Sequence, residues 1–284
     1  MEIIIRCDGN VTVRSADREI CAERKPKPVP QKRANMLWDD IAAVCRYGEV
    51  RKYFELGDML SVKHRTLGGS GNTIDCRIVR IGDTGMVLAS VYTVKEMQFD
   101  APEKKRDAKR REHPQSERAD WGSNFYRESA IHQWLNSDRT RGDWWMARNP
   151  WDNPPENHEE TDGFLAGFED DFLGALGEYE CITAKPLGNE GEADRFKAKF
   201  FLPSVTELTG KANNGVMEGA RFAYADKIAK GWNWLRSPYA SNASYVYIVG
   251  TTGTLSSSNA YNAIGCAPAC VIGKIGQSDP NGAE

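Results

Sequence analysis

The chain has 284 residues, of which 40% are hydrophobic and 27% are charged, with a formal net charge of −3. This length suits one large domain or two modest ones, and eight Trp residues can help to fill a substantial core. The slightly acidic balance gives no electrostatic basis for nucleic-acid binding, which usually shows a basic footprint. The sequence has no apolar run long enough to span a bilayer, and its first apolar run is too short for a signal peptide. We therefore expect a protein that is made in the cytoplasm and has no membrane span.

Patterns for metal, cofactor and catalytic chemistry are missing from the sequence. The four His residues form no His-x-x-x-His frame and no Cys-x-x-Cys occurs, so we expect no metal ligands. Walker A, Gly-x-Ser-x-Gly and dinucleotide-binding glycine patterns are also absent, so we expect no cofactor and no catalytic residues. The seven cysteines are scattered and odd in number, which favours reduced thiols over a disulfide framework.

The N-terminal segment predicts a β extension and a linker. Ile3–Ile5 and Val11–Val13 are β-branched runs on either side of Asp8-Gly9-Asn10, which is a hairpin signal. Three prolines within residues 23–33 exclude a helix or a central strand there and predict an extended linker. Residues 1–33 are therefore expected to be separate from the main domain.

The first part of the main domain predicts a helix and then strands. Trp38–Cys45 has helical spacing and is expected to end near Gly48. Apolar, β-rich runs joined by Gly-rich turns then predict strands at residues 61–66, 75–81 and 86–92.

The middle of the chain predicts a charged insertion and a helix. Residues 101–120 are densely charged and poor in apolar side chains, which predicts a solvated insertion loop. After this loop, a helix is predicted with Ser123 as its N-cap and an apolar face of Phe125, Ile131, Trp134 and Leu135.

Further along, a capping box precedes two predicted strands. Ser204 is followed three residues later by Glu207, which predicts the N-terminus of a helix. Trp232–Arg236 and Tyr245–Val249 are predicted to be strands.

A stretch without charge follows Arg236. No charged side chain occurs between Arg236 and Lys274, and residues 235–273 contain no Lys, Glu, Gln, Met or Trp. The stretch is instead rich in Tyr, Ser, Asn, Thr and Gly, a composition typical of antibody paratopes. A Ser- and Thr-rich β-hairpin region that needs no charge is the simpler interpretation of the same pattern.

Several motifs resemble those of a known family. Trp-Leu-Arg-Ser-Pro at residues 234–238, Gly-x-Leu at 253–255 and Gly-x-Ala-Pro-Ala at 265–269 are similar to the variable region of proteins diversified by retroelements. Those proteins are ligand binders of phages and bacteria, such as phage tropism determinants. The resemblance implies an α+β fold with one C-type-lectin-like (formylglycine-generating-enzyme-like) domain at residues 34–276 and a C-terminal tail at 277–284.

The resemblance also implies a function. In that family, mutagenesis of adenines in template codons yields codons that cannot encode Lys, Glu, Gln, Met or Trp, the residues missing here. The implied protein is a non-enzymatic ligand binder with a variable region at about residues 237–266, in a phage or prophage receptor-binding role. Its partner would be a protein or a cell-surface ligand, and its place the virion or the bacterial cytoplasm or surface.

The variable side chains are expected to converge on one exposed face, because a surface that varies cannot also be the core. These ligand-binding residues are Tyr239, Ser241, Asn242, Ser244, Tyr245, Tyr247, Thr251, Thr254, Ser256, Ser258, Asn259, Tyr261 and Asn262. The residues expected to point inward are Ala243, Val249, Leu255 and Ala260. The scaffold residues expected in the core are Trp232, Trp234, Leu235, Leu255, Pro268 and Val271.

Two alternatives remain at this point. Formylglycine-generating oxidases share the lectin-like fold and use a C-terminal cysteine pair, for which Cys266 and Cys270 are the candidates. A carbohydrate-binding lectin module is the other, although the Glu-Pro-Asn triplet of sugar-binding lectins is absent and Pro155-Glu156-Asn157 has another order.

Overall fold

The structure, a computed structural model, describes residues 3–7, 10–15, 18–22, 36–69 and 72–275. Of the first three ranges it describes the backbone alone. The chain divides into two units, Met1–Met36 and Leu37–Glu284. The predicted linker at 23–33 and the predicted tail at 277–284 lie outside the described residues.

The smaller unit contains an antiparallel sheet of β1 (Ile3–Cys7), β2 (Asn10–Ser15) and β3 (Arg18–Ala22), in that order. The predicted hairpin is confirmed in β1 and β2, although the central turn residues Asp8 and Gly9 are outside the described part. Strand β3 was not predicted, because two charged residues in a five-residue strand hide the usual apolar signal.

The larger unit mixes helices and strands and is therefore of the α+β class. Its α-helices, within the described residues, are α1 (Trp38–Arg46), α2 (Val50–Tyr53), α3 (Ser116–Trp121), α4 (Ala130–Leu135), α5 (Asp170–Ala175) and α6 (Val205–Thr209). Its strands there are β4 (Met59–Lys63), β5 (Thr73–Ile81), β6 (Gly85–Ser90), β7 (Lys95–Gln98), β8 (Tyr179–Ala184), β9 (Ala193–Ala198), β10 (Phe200–Phe201), β11 (Asn233–Pro238), β12 (Tyr245–Val249), β13 (Leu255–Asn259), β14 (Ala263–Cys266) and β15 (Ala269–Gly273).

These strands form two five-stranded sheets and a hairpin within the described part of the chain. The first sheet has the order β10-β15-β6-β5-β4 and is antiparallel throughout. The second has the order β13-β12-β11-β14-β7, and its β11-β14 pair is parallel. Strands β8 and β9 pair only with each other there.

One hydrophobic core cluster lies where the first sheet packs against the β8-β9 hairpin. Val79, Val87 and Val271 of the sheet are fully buried and cluster with Tyr179 and Phe201. The rings of Tyr179 and Phe201 stack with their centroids 4.0 Å apart. Burial of each such apolar side chain contributes about 1.5–3 kcal/mol relative to leaving it in water.

Helix α6 packs against the second sheet and begins at the predicted capping box. Ser204 Oγ accepts a hydrogen bond from the Glu207 amide at 3.1 Å, and Glu207 Oε2 accepts one from the Ser204 amide at 2.9 Å. The prediction from the Ser204 and Glu207 spacing is confirmed. Val205 of the helix clusters with Leu235 of β11 and Val249 of β12.

The charged segment at residues 101–120 is mostly exposed, as its composition predicts, but two of its carboxylates are buried and its last residues form α3. Glu103 and Asp107 are 3% and 7% exposed. The Glu103 carboxylate contacts His113 Nε2 and Arg118 Nη2, and Asp107 pairs with Arg111. Charge pairing inside the segment therefore replaces the apolar contacts that its composition lacks.

The predicted N-cap Ser123 is also wrong. Helix α4 starts seven residues later, and its N-cap is Ser129, whose Oγ accepts a hydrogen bond from the His132 amide at 3.3 Å. Ser123 Oγ instead accepts from the Phe125 amide at 3.2 Å in the preceding loop. Of the predicted apolar face, Ile131, Trp134 and Leu135 are buried in α4, whereas Phe125 precedes the helix and is half-buried.

No helix in the described ranges combines the length and the apolar character that a bilayer crossing requires.

Candidate functional site

The charge-free stretch supplies β12, β13 and β14 of the second sheet and β15 of the first sheet. It starts in β11, turns through residues 239–244 into β12, and turns again through residues 250–254 into β13, at the end of the sheet order. The predicted strands at Trp232–Arg236 and Tyr245–Val249 are confirmed as β11 and β12.

Arg236 fixes the strand from which the stretch begins. Its guanidinium is fully buried and pairs with both carboxylate oxygens of Glu207, at 2.6 and 2.9 Å. It also donates to the carbonyl oxygens of Leu202 and Ile182, at 2.8 and 3.3 Å. The Tyr179 hydroxyl also donates a hydrogen bond to this carboxylate, at 2.7 Å from Glu207 Oε1. The sequence showed Arg236 only as the last charge before a gap, and no local signal indicates its burial.

A second buried carboxylate holds the end of β11. Ser237 Oγ donates to Glu218 Oε2, and Glu218 Oε1 accepts from the Ala184 amide at 2.9 Å. Burial raises the pKa of Glu218. Asn213 Nδ2 donates both to Glu218 Oε1 and to the Pro238 carbonyl, at 3.2 and 3.0 Å. The backbone just before the exposed turn is therefore held in place by buried polar groups.

Three tyrosines, Tyr239, Tyr245 and Tyr247, form a contiguous group that we call the tyrosine cluster. The ring centroid of Tyr239 lies 5.4 Å from that of Tyr247 and 6.5 Å from that of Tyr245. Tyr239 and Tyr245 are 38% and 39% exposed, and Tyr247 is half-buried against Leu235 and Val249. Aromatic rings held in this way offer contact area at a low cost in conformational entropy.

Asn124, which precedes the stretch by more than a hundred residues, holds the turn that carries the cluster. Its Nδ2 donates to the carbonyl oxygens of Asn242 and Tyr245 at 2.7 and 2.9 Å, and to that of Tyr239 at 3.3 Å. Its amide donates to the Ala243 carbonyl at 3.1 Å. Sequence reasoning missed Asn124, because nothing near it in the chain indicates its distant partners.

Asn242 and Ser244 support the turn from within rather than facing a ligand. Asn242 Oδ1 accepts from the Ser244 and Tyr245 amides at 2.7 and 2.9 Å, and from Ser244 Oγ at 2.9 Å. Ser244 is only 1% exposed, so its predicted place on the exposed face is wrong. These side chains form the hydrogen bonds of an Asx-type turn, so they are less available to contact a ligand.

The strand register separates the predicted ligand-binding residues between two faces. Tyr247 lies opposite Ser257, whereas Val246 lies opposite Ser258. Adjacent residues of a strand point to opposite faces, so Ser256 and Ser258 lie on the face away from the tyrosine cluster.

Contacts on that other face agree with the register. Asn262 Nδ2 donates to Ser258 Oγ at 2.8 Å, and the Tyr261 ring centroid lies 5.3 Å from that of Trp121. The expectation of a single face is therefore corrected, because a period of two along each strand distributes neighbouring residues to both sides.

The remaining predicted residues lie at the edges of these faces. Ser241, Thr251 and Thr254 are exposed in the two turns. Asn259 lies opposite Tyr245 and is half-buried, and its Oδ1 accepts from Ser244 Oγ at 3.3 Å. The structure thus brings the three tyrosines together and leaves Ser241 exposed in the turn that follows Tyr239.

Most of the predicted scaffold is buried. The residues with at most 5% exposure are Trp234, Leu235, Val271, Ala243, Val249 and Ala260. Pro268 is buried and Leu255 is half-buried. The prediction that Trp232 lies in the core is wrong, because this residue is 53% exposed. It precedes β11, and its ring covers Gly250, where an added Cβ would be 3.1 Å from the ring.

Cys266 and Cys270 are free and buried thiols. Burial raises the pKa of both, and for Cys266 the opposing effect of the Lys95 charge is smaller. The thiolate is the reactive form of cysteine, so this environment disfavours nucleophilic chemistry at either sulfur.

No group of three or more His, Cys, Asp or Glu within the described ranges could hold a metal ion. Of the histidines, His64 is engaged by the backbone. Its Nε2 lies 3.1 Å from the Phe164 carbonyl, and its Nδ1 accepts from the Thr66 and Leu67 amides at 3.2 and 3.0 Å.

Residues 88–274 match the model of a family described as a domain of unknown function, DUF6273. The matched range begins within β6 and ends just after β15, so it includes the tyrosine cluster, Asn124 and the pair Arg236–Glu207. No curated protein and no solved structure matches the chain.

Proposed function

The chain belongs to the DUF6273 family, and we propose that this member is a non-enzymatic ligand-binding protein that uses the tyrosine cluster as its contact surface. The observation that carries the proposal is the combination of exposed aromatic rings with a turn fixed by Asn124. A preorganised surface loses little conformational entropy on binding, and tyrosines are frequent anchors of such surfaces.

The ligand in this proposal is a protein or another cell-surface molecule. No charged side chain occurs between Arg236 and Lys274, so the surface does not select its partner by charge within this stretch. Contact would come from aromatic area and from adaptable hydroxyl groups such as that of Ser241. A receptor-binding role in a phage or prophage fits this chemistry, with the virion or the bacterial surface as the place of action.

Retroelement diversification of residues 237–266 on a C-type-lectin-like domain is the finer part of the proposal. It is supported by the residues missing from the stretch and by its motifs. The positions that can vary most freely are the exposed Tyr239, Ser241 and Tyr245, whereas Tyr247 would vary less because it is half-buried against core residues. Asn242 and Ser244 would vary less, because their side chains form the hydrogen bonds of the turn.

The environment of Cys266 and Cys270 supports the proposal that this protein is not an enzyme. An oxidase of the formylglycine-generating type needs accessible, readily ionised cysteines, whereas burial raises the pKa of Cys266 and Cys270.

Two matched display libraries test the contact surface. One randomises Tyr239, Ser241, Tyr245 and Tyr247, and the other randomises the opposite-face residues Ser256, Ser258, Tyr261 and Asn262. Both are selected against the same panel of unrelated proteins, and clones are checked by thermal melting. We expect folded binders from the first library only. Binders from the second library alone would move the site to the other face, and a lack of folded binders from both would contradict the proposal.

Diversification has a separate test. A near-identical template repeat beside a reverse-transcriptase gene in the source genome is expected. The absence of such a repeat would contradict diversification. The proposal of ligand binding would still be decided by the library experiment.

A further inference from the structure

A cavity of about 340 Å³ lies apart from the tyrosine cluster, where several elements of the larger unit meet. The turn after β4 contributes His64, strand β7 contributes Lys95, and helix α4 contributes Trp134. The segment that includes Gly163 and Phe164 closes another side. This volume is at the lower end of the range for small-molecule sites, which is about 300–1,000 Å³.

Lys95 is the charged group of the cavity interior. Its side chain is half-buried, and its Nζ lies 5.1 Å from the centroid of the Trp134 ring. Burial lowers the pKa of Lys95, against a smaller opposing effect of Cys266, and no carboxylate contributes to the shift. Among the residues that the structure describes, no Asp or Glu forms a salt bridge with Lys95. A partly buried ammonium without a carboxylate partner favours a bound counter-ion.

The other charges of the cavity lie at its rim and balance one another. Arg65 and Arg141 carry positive charge, and Glu160 and Asp162 carry negative charge. All four are exposed, so solvent and salt screen them. Burial also lowers the pKa of His64, which favours its neutral form. The interior therefore has a net positive character that comes from Lys95.

One part of the wall around Lys95 is apolar, and the rest is formed by polar and charged residues. Trp134 and Phe164 are fully buried aromatic side chains with ring centroids 4.9 Å apart, and Leu67 and Ala166 line the same cavity. An apolar wall beside one cation fits a ligand with a hydrophobic body and a single anionic group. We propose that this cavity binds a small organic anion whose carboxylate or phosphate group contacts the Lys95 ammonium.

Calorimetric titration at low salt tests this inference with three probes. Benzoate and phenyl phosphate present a carboxylate and a phosphate on the same apolar body, and benzamide is the neutral counterpart of benzoate. We expect saturable binding of at least one anion at millimolar concentrations, with benzamide weaker by about tenfold or more. The order of the two anions distinguishes a carboxylate site from a phosphate site. Binding of benzamide as tight as that of the anions, or no saturable binding of either anion, would overturn the proposal.

Variants identify the residue responsible. Lys95→Met keeps the side-chain stem over Trp134 and removes the charge, so anion affinity should fall about tenfold or more. Lys95→Arg keeps the charge and should retain binding, and Lys63→Met, on the exposed side of β4, should change nothing. Unchanged anion binding in Lys95→Met, with a melting curve that shows a folded protein, would contradict the assignment. If Lys95→Met does not fold, the comparison of benzoate with benzamide on the unaltered protein still decides the proposal.

Discussion

Arg236 and Glu207 form a bidentate ion pair in which both side chains are completely removed from solvent. Glu207 also accepts the Ser204 amide in the capping box of α6. One carboxylate therefore starts a helix and neutralises the cation of the adjacent strand. The charge-free stretch begins directly after this fixed point.

Glu207→Gln should lower the free energy of unfolding by about 3–5 kcal/mol, because it leaves the buried Arg236 charge uncompensated. Urea denaturation measures the change. The control is Glu180→Gln, which removes an exposed partner 3.9 Å from Arg195 and should cost less than about 1 kcal/mol. Similar losses of unfolding free energy in the two variants would show that the buried pair stabilises the protein no more than the exposed pair.

Trp234→Ala should cost about 3–5 kcal/mol, because the side chain is fully buried and its Nε1 donates to the Met97 carbonyl at 2.9 Å. Trp232→Ala is the matched control from the same strand region. With 53% of its surface exposed, Trp232 should contribute less than about 1 kcal/mol. Thermal or urea unfolding of both variants gives the comparison, and a parent-like melt of Trp234→Ala would contradict the scaffold assignment.

Asn124→Ala should loosen the turn at residues 239–245, because the carbonyl oxygens of Tyr239, Asn242 and Tyr245 each lose the hydrogen bond from the Asn124 side chain. Hydrogen exchange of the Tyr239 amide, which donates to the Tyr245 carbonyl, should become faster. Asn189→Ala removes an exposed hydrogen bond to Glu192 and should leave this exchange unchanged. Equal protection of the turn in both variants would mean that Asn124 does not hold it.

Acid should destabilise the protein partly through His132. Burial, assisted by the Arg148 and Arg127 charges, lowers the pKa of His132 from 6.5 to about 4. Between these two values the unfolded chain binds a proton that the folded protein does not, so the free energy of unfolding falls as the pH falls. At higher pH both states are neutral at this residue and the effect vanishes.

His132→Gln should remove that part of the pH dependence. From pH 7 to pH 4, the unaltered protein should lose about 1–3 kcal/mol more than the variant, measured by urea unfolding at each pH. Parallel pH profiles of the two proteins would contradict the low pKa of His132.

The free thiols should be unreactive in the native protein. Cys45, Cys76, Cys181, Cys266 and Cys270 are all buried. A Cys7→Ser/Cys21→Ser variant contains only these five, and it should react with Ellman's reagent only after denaturation. Rapid reaction of Cys266 or Cys270 in the folded variant would favour the oxidase alternative.

Local signals predicted much of the fold. The capping box of Ser204 and Glu207, the helical spacing of α1 and the β-rich runs of β5, β6 and β12 depend on neighbours in the chain. The start of α4 was predicted at Ser123 but lies at Ser129, because the residue type preferred at an N-cap occurs at both positions.

The candidate site was less predictable, because its features depend on distant partners. The composition of residues 237–266 indicated an exposed, adaptable surface, but not the strand register that separates Tyr247 from Ser258. Asn124 acquires its role from residues that only the fold brings near. The exposure of Trp232 was also not predictable from the sequence, because Trp residues are on average buried.

The parallel pairing of β11 with β14 places Asn233 directly beside Gly265. The chain that connects these two strands therefore starts and ends at neighbouring points of the second sheet. The free energy of closing such a loop rises by only about 0.6 kcal/mol for each doubling of its length. Length changes at the exposed 250–254 tip should therefore be tolerated, whereas the buried Trp234 and Arg236 near the start of the loop would have to be kept in any graft from a relative.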